Sequence, residues 1–509
     1  MYELFSTDFW LTRFCFQRTL GFVYAIAFLI AVNQFRPLLG ERGLLPVPLF
    51  LRRVGFWDAP SIFHWYYSDR FFATVSWTGL GLALMATFGL SDAFGTPVSM
   101  LVWGILWVIY LSVVNVGQRF YGFGWEMTLL ETGFLAIFLG ASNTAAPVVM
   151  IWILRWVLFR VMFGAGLIKL RADACWRDLT CLVYHYETQP LPNPLSWYFH
   201  RQPLWMHKGG VLLTHFVELI VPWGYFMPPP ICYIAGLLTI LFQGSLILSG
   251  NLSWLNYITI VLALSCFDDT ALGWIIPLDV PAVEPRSLVH NILLGAVTLL
   301  VCALSIRPIK NMWSHQQKMN ASFDPLHLVN TYGAFGSVSR ERLEVVLEGT
   351  PDKEISPRTE WREYEFKGKI GDVKRRPCIV SPYHWKLDWQ LWFAAMSPYY
   401  HHPWLLHLVA KLLQGDRATL SLLSQKGKPF PDQPPNYIRA QLYRYQFADR
   451  QQKRNAGLWW VRTRVSEYLP PLSLDDPEFR EVLRRQGWLD TDDVRSAINV
   501  RGSAATRKS

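Results

Sequence analysis

Before Arg307 the apolar residues gather into long runs, and after it they fall into short alternating ones. Roughly nine stretches approach the length of about 20 residues that a helix needs to cross a bilayer. They cover 14–32, 71–90, 98–116, 125–139, 146–170, 211–227, 231–248, 252–266 and 288–306, and several are short by that measure. The pattern predicts an α-helical polytopic membrane domain over 1–306 with polar loops at 33–70 and 171–210. The first run reads as an anchor, because it has no basic leader and no small-x-small cleavage site before Asn33. A linker over 307–329 then leads to a soluble domain over 330–495. There "LEVVLEG", "REYEFKGKI", "RPCIVSP", "LYRYQFA" and "LWWVRTRV" alternate as strands do, while "LDWQLWFAAM", "HPWLLHLVAKLLQG" and "EFREVLRRQGW" carry helical spacing. This predicts a small strand-rich α+β domain, followed over 496–509 by a disordered tail.

Composition sharpens the division. With 51% hydrophobic and 15% aromatic residues and 24 Trp, the chain is too apolar for an ordinary soluble protein. Residues 1–306 hold 16 Lys+Arg against 16 Asp+Glu, so all of the net +10 falls in the last 203 residues. The surplus is spread evenly, without basic clusters interleaved with aromatics, which argues against nucleic acid as a partner. The lipid bilayer is the expected one. An inside N-terminus with nine crossings would put Arg36, Arg42, Arg52, Arg53 and Arg70 in a translocated loop, against the positive-inside rule.

Charges within apolar runs need partners or a purpose. Glu126 and Glu131 precede the "GASNTAAP" turn, and Arg155 and Arg160 follow it. Counting from Asn143, Glu131 and Arg155 each lie 12 residues away, and Glu126 and Arg160 each lie 17 away. An antiparallel hairpin would therefore pair Glu131 with Arg155 and Glu126 with Arg160, or slip by one turn if the connection is asymmetric. Such pairs would fix the hairpin register, the alternative being a proton path or substrate site. Lys169 in "FGAGLIKL" has no acid one turn away on its own helix. Either it snorkels to the interface, or it is a desolvated base.

The polar insert after Lys169 contains Cys175 and Cys181, whose spacing fits neither a C-x-x-C redox motif nor a zinc pattern. A loop-stapling disulfide and two buried thiols both fit. His185 and Glu187 would share a side only in an extended chain. His215 and Glu218 sit three apart on one helix, too few for a metal centre, and no metal site is expected. Asn251 and Asn320 each begin an Asn-x-Ser sequon. The C-terminal region has no G-x-S-x-G elbow and no phosphate loop, and His384, His401, His402 and His407 lack acidic partners at ligand spacing.

The stretches "RVMFGAGLIKLRADACWRDLTCLVYHYETQPLPNPLSWYFH", "THFVELIVPW", "ILFQGSLILSGNLSWLNYITIVLALSCFDD", "VNTYGAFGSVSRER", "RRPCIVSPYHWKLDWQLWFAA" and "LWWVRTRV" together resemble the lipase maturation factor family over nearly the whole chain. The resemblance implies a polytopic protein of the endoplasmic reticulum membrane in animals, with bacterial relatives in the cytoplasmic membrane; the short ends of this chain suit a bacterial member. It implies no cofactor, assistance to the folding of secreted lipases or other exported clients, and client contact through a lumenal C-terminal domain. On that basis the aromatic stretch holding Tyr383, His384, Trp385, Trp389 and Trp392 is the expected client-binding element. A shorter stretch beginning "FGAGLIKL" is similar to the membrane domain of vitamin K-dependent gamma-carboxylases. That likeness implies an alternative, a membrane enzyme with Lys169 as base and His185 and Glu187 beside it.

Overall fold

A computed structural model describes residues 9–489; the expected tail and the end of the soluble domain at 495 lie outside the described residues. The chain forms two compact units interleaved in sequence. The first comprises the chain up to Asn33, Arg53–Arg340 and Cys378–His384, and the second takes Gln34–Arg52, Glu341–Pro377 and the chain from Trp385. The expected boundaries at 306 and 330 are therefore displaced, and the expected loop 33–70 is divided between the units.

The first unit is helical: α1 (Trp10–Leu39, whose residues from Gln34 on fall in the second unit), α2 (Asp69–Thr87), α3 (Thr96–Val116), α4 (Gly124–Ala136), α5 (Val148–Arg171), α6 (Leu204–Phe226), α7 (Ile231–Ser249), α8 (Leu255–Cys266) and α9 (Leu288–Trp313). Six of them are long and apolar enough to cross a membrane: α1, α3, α5, α6, α7 and α9. The count of nine from hydropathy falls for physical reasons. The 13 residues of α4 rise only about 20 Å against a core of about 30 Å, and α8 is also short. In α2, Thr74, Ser76, Thr78, Gly79 and Gly81 dilute the apolar character. The central helix is α5, with Ile151, Leu154, Leu158 and Met162 buried. By contrast α9 exposes Leu288, Val289, Ile292 and Leu299, as a lipid-facing helix does.

Polar contacts define the two ends of this bundle. At one, Asp269 accepts from the N–H groups of Trp10 and Leu11 (3.0 and 2.7 Å), and Arg286 caps the carbonyls of Ala145 and Ala146 (3.1 and 3.0 Å). The other end gathers the longer loops. There Asn115 donates to the carbonyls of Pro60 and Pro325 (2.9 and 3.1 Å), and Gln317 to that of Gly164 (3.0 Å). Residues 314–340 form a strap folded back on this end, with β1 (Ala321–Ser322) antiparallel to β2 (Asn330–Thr331). Gly164 lets it approach, since a Cβ there would strike the Tyr332 carbonyl.

The second unit is built on an antiparallel sheet of β3 (Arg342–Thr350), β4 (Arg362–Glu363), β5 (Tyr437–Phe447) and β6 (Trp460–Leu472), in the order β4-β3-β5-β6. Val345, Leu347, Ile438 and Ala440 are buried. Helix α10 (Lys386–Ala394) packs on β3 and α11 (Pro403–Leu413) on β5, while α12 (Pro477–Arg485) follows β6. Of the expected strands, "REYEFKGKI" shrinks to the two residues of β4, and "RPCIVSP" forms none. Asn251 holds that last segment instead, donating to the Cys378 carbonyl (2.8 Å) and accepting from Val380 and Ser381 N–H (2.7 and 3.1 Å).

Candidate functional site

Two charged centres lie inside the first unit. In one, Arg160 on α5 forms a salt bridge with Glu131 on α4, and its Nη1 also donates to the Asn330 carbonyl (2.6 Å). Glu131 Oε2 accepts from Asn330 N (2.9 Å), Asn330 Nδ2 (3.0 Å) and the Tyr332 hydroxyl (2.6 Å), so the strap closes over the pair. This corrects the expected pairing of Glu131 with Arg155 and of Glu126 with Arg160. Glu126 instead accepts from the Tyr110 hydroxyl, and Arg155 Nε donates to the Ser265 carbonyl (2.8 Å). The reason is the lean of each Cα–Cβ bond toward its helix N-terminus. In an antiparallel pair, Glu131 and Arg160 lean toward each other, while Glu126 and Arg155 lean apart.

The second centre is Lys169, near the C-terminus of α5. Its Nζ donates to both carboxylate oxygens of Glu218 on α6 (2.5 and 2.6 Å), and the Trp176 ring lies 5.3 Å away. Lys169 and Glu218 are each only 4% exposed, which seals the ammonium off. A π-helical turn at Phe216–Ile220 carries Glu218, and Gly166 admits it, since a Cβ there would press on the Glu218 Cβ. His215, expected to share a face with Glu218, turns to the Trp176 carbonyl (3.0 Å). Lys169 therefore does not snorkel, and its partner comes from a different helix.

Beside Lys169 the insert is a folded layer. Cys175 and Cys181 form a disulfide, with their Cα atoms 4.8 Å apart. Around it pack Trp176, Val211 and Val338, and Trp176 Nε1 donates to the Phe335 carbonyl of the strap (2.9 Å). Asp173 forms a salt bridge with Arg340 (2.8 Å) and accepts from the Cys175 and Val338 N–H groups (3.0 and 3.2 Å). Burial would raise the Asp173 pKa, but these hydrogen bonds hold it below the ordinary value. Among the described residues, the grouping closest to a metal-ligand set is Asp173 with Cys175 and Cys181, and both of its sulfurs are in the disulfide.

His185 and Glu187 lie on a helix, Cys181–Thr188, not on an extended chain. Two residues along a helix point to nearly opposite sides. His185 is buried, 5.2 Å edge-on to Phe335, and burial, aided by Lys169, lowers its pKa to about 4. Glu187 turns to His200 (3.7 Å). The structure thus places His185 within electrostatic reach of Lys169 and turns Glu187 to His200.

The aromatic stretch is divided between the units. Tyr383 accepts from Asn33 Nδ2 (3.3 Å), and His384 is buried edge-on to Phe123, Trp125 and Trp254, all in the first unit. Trp385 and α10 belong to the second unit, where Trp389 is buried against Trp392 (6.4 Å) and Trp385 meets Lys367 (4.7 Å). His384 and Trp389, expected in the client-binding element, are buried. The exposed apolar residues nearby are Phe393, Met396 and Tyr400.

Glu218, Asn330, Tyr332 and Arg340 complete these centres and were not assigned as partners from sequence. Lys169, on a helix without acids, and Glu218, the one acid of α6, were the available signal.

The lipase maturation factor transmembrane domain matches residues 11–274, and the C-terminal domain of the same family matches 328–470. Lipase maturation factor 1 of Mus musculus is 44% identical, over 96% of this chain and 91% of its own length. The Homo sapiens protein of that name is also 44% identical, over 96% and 92%. Lipase maturation factor 2 of Xenopus laevis is 30% identical, over 96% and 86%. No solved structure matches the chain. With two domain models and near full-length likeness in agreement, the chain is an integral membrane protein that belongs to the lipase maturation factor family.

Proposed function

We propose that this protein is a maturation factor of the endoplasmic reticulum membrane that helps secreted lipases fold and assemble, acting by binding rather than by catalysis. The observation that carries this reading is the extent of the likeness: 44% identity over 96% of the chain to proteins named for lipase maturation, across both domains. The carboxylase-like alternative is not favoured. A base must give up its proton, and the Lys169 ammonium is held by both oxygens of Glu218. Client contact is assigned to Phe393, Met396 and Tyr400, whose apolar surface is supported from beneath by the buried face of α10.

The test is expression in animal cells that lack their own maturation factor, together with a secreted lipase. The ratio of lipase activity to lipase mass in the medium should rise severalfold with this protein. Replacing Phe393, Met396 and Tyr400 together by Ser should return it to background without lowering the amount of membrane protein. No rise with the unaltered protein would sink the reading.

A further inference from the structure

The two Asn-x-Ser sequons lie at the same end of the bundle, where the loops gather, and the lipase-maturation reading uses neither. Their surroundings differ sharply. Asn251 sits in the short connection between α7 and α8 and is 1% exposed. Its Nδ2 donates to the carbonyls of Cys378 (2.8 Å) and Pro192 (3.5 Å), while Oδ1 accepts from Val380 and Ser381. A sugar on that nitrogen would replace a donor hydrogen and expel the Cys378–His384 segment.

Asn320 is exposed, as are Lys318 and Met319 before it. It follows the end of α9 and opens the β1–β2 ribbon of the strap. Its side-chain hydrogen bond uses Oδ1, which accepts from Gly333 N–H (3.3 Å), and Nδ2 makes no hydrogen bond among the described residues. A substituent on Nδ2 breaks no hydrogen bond of Oδ1, and a sequon at an exposed position of a surface loop is open to modification.

We infer that Asn320 is an N-glycosylation site and that Asn251 is not one. The co-reactant is the lipid-pyrophosphate-linked oligosaccharide of the endoplasmic reticulum lumen, with the transferase of the host cell. Asn320 Nδ2 forms a C–N bond to the anomeric carbon of the sugar, and the bond from that carbon to the phosphate oxygen breaks. The lipid pyrophosphate leaves with the electron pair, and Nδ2 gives up one proton. The glycan then stands on the strap, beside the ribbon that closes over Glu131 and Arg160. This inference rests on the maturation reading above and on a lumenal position for the loop end, where secreted clients would be met, so the experiment must test site and orientation separately.

The full chain is expressed in animal cells and examined for a gel mobility shift reversed by endoglycosidase. The expected result is a single-glycan shift that disappears in both Asn320→Gln and Ser322→Ala and persists in whatever Asn251→Gln protein accumulates. Two added sequons report orientation: Lys353→Asn with Ile355→Thr in the exposed loop after β3, and Asp279→Asn with Pro281→Thr at the opposite end of the bundle. A glycan on the first added sequon with none on Asn320 overturns the site and leaves the lumenal reading standing. A glycan on the second added sequon alone reverses the orientation and overturns both. A shift lost in Asn251→Gln but kept in Asn320→Gln overturns the assignment between the two sequons.

Discussion

Glu131 is the acceptor for three donors from the strap as well as for Arg160, so its charge is satisfied from two directions. Removing either member of such a buried pair typically costs about 3–5 kcal/mol, because the other is left charged in a low dielectric. Glu131→Gln and Arg160→Gln should each sharply lower the yield of monodisperse protein in detergent, whereas Arg155→Gln, which loses one bond to a carbonyl, should lower it less. Exchanging the pair, Glu131→Arg with Arg160→Glu, should recover little, since Asn330 and Tyr332 would then aim donors at a cation. Equal losses for Arg155→Gln and Arg160→Gln would contradict this account. Lys169 and Glu218 invite a different pair of variants, because among the described residues no strap donor joins the lysine at the Glu218 carboxylate. Replacing both by apolar residues of similar volume removes two desolvated charges at once, which is often neutral. Lys169→Met alone should reduce folded yield, and Lys169→Met with Glu218→Leu should restore both yield and secreted lipase activity. A folded but inactive double variant would instead revive Lys169 as a catalytic group.

At the scale of elements, the insert after α5 shows how far the pattern of residues could carry. Apolar runs locate the six long helices, three of them missing up to seven residues at one end, since burial in lipid demands a continuous apolar length but polar residues can extend a helix beyond it. The same pattern misread Cys181–Thr188, where the polar His185 and Glu187 masked a helical turn whose apolar side faces the disulfide layer. Pairing between elements was less legible still. Spacing alone set Glu131 level with Arg155, and only the lean of side chains along antiparallel helices explains Arg160. Asn330 and Tyr332 gave no signal at all, because hydrophilic strap residues look the same whether they face water or a buried carboxylate. The disulfide closes a loop of about seven residues, for which chain entropy suggests a stabilisation of about 2 kcal/mol. Replacing both Cys175 and Cys181 by Ala should therefore lower the thermal midpoint by a few degrees, and mild reductant should lower it in the unaltered protein alone. The Asp173–Arg340 contact beside it adds acid sensitivity. A carboxyl held below its ordinary pKa stabilises above that value, and the contribution is lost as the pH falls through the folded pKa.

For the whole molecule, the interleaving of the units matters more than their boundaries. Gln34–Arg52 precedes most of the membrane helices in sequence, yet it is built into the second unit. Gln34 Oε1 accepts from Lys386 N–H (3.1 Å), and the buried Leu44 offers its carbonyl to His407 Nδ1 (2.8 Å). His407 also stacks on Trp488 at 4.7 Å. A fragment starting at Glu341 lacks Gln34–Arg52 and should be poorly soluble, while one with that segment linked to its N-terminus should give a sharp unfolding transition. Burial lowers the His407 pKa from 6.5 to about 3, although the bond to Leu44 opposes it. Between those values the unfolded chain binds the proton and the folded unit does not, so stability falls as the pH drops through that window. Each unit of pKa difference is worth about 1.4 kcal/mol, enough to make the loss measurable. In the intact protein in detergent, the thermal midpoint should decline from about pH 7 to about pH 5, on the acid side of an ordinary histidine. His407→Phe keeps an aromatic ring against Trp488 without a titrating group, so it should start lower but decline less steeply. Parallel pH profiles for the two proteins would show that His407 is not a source of the acid sensitivity.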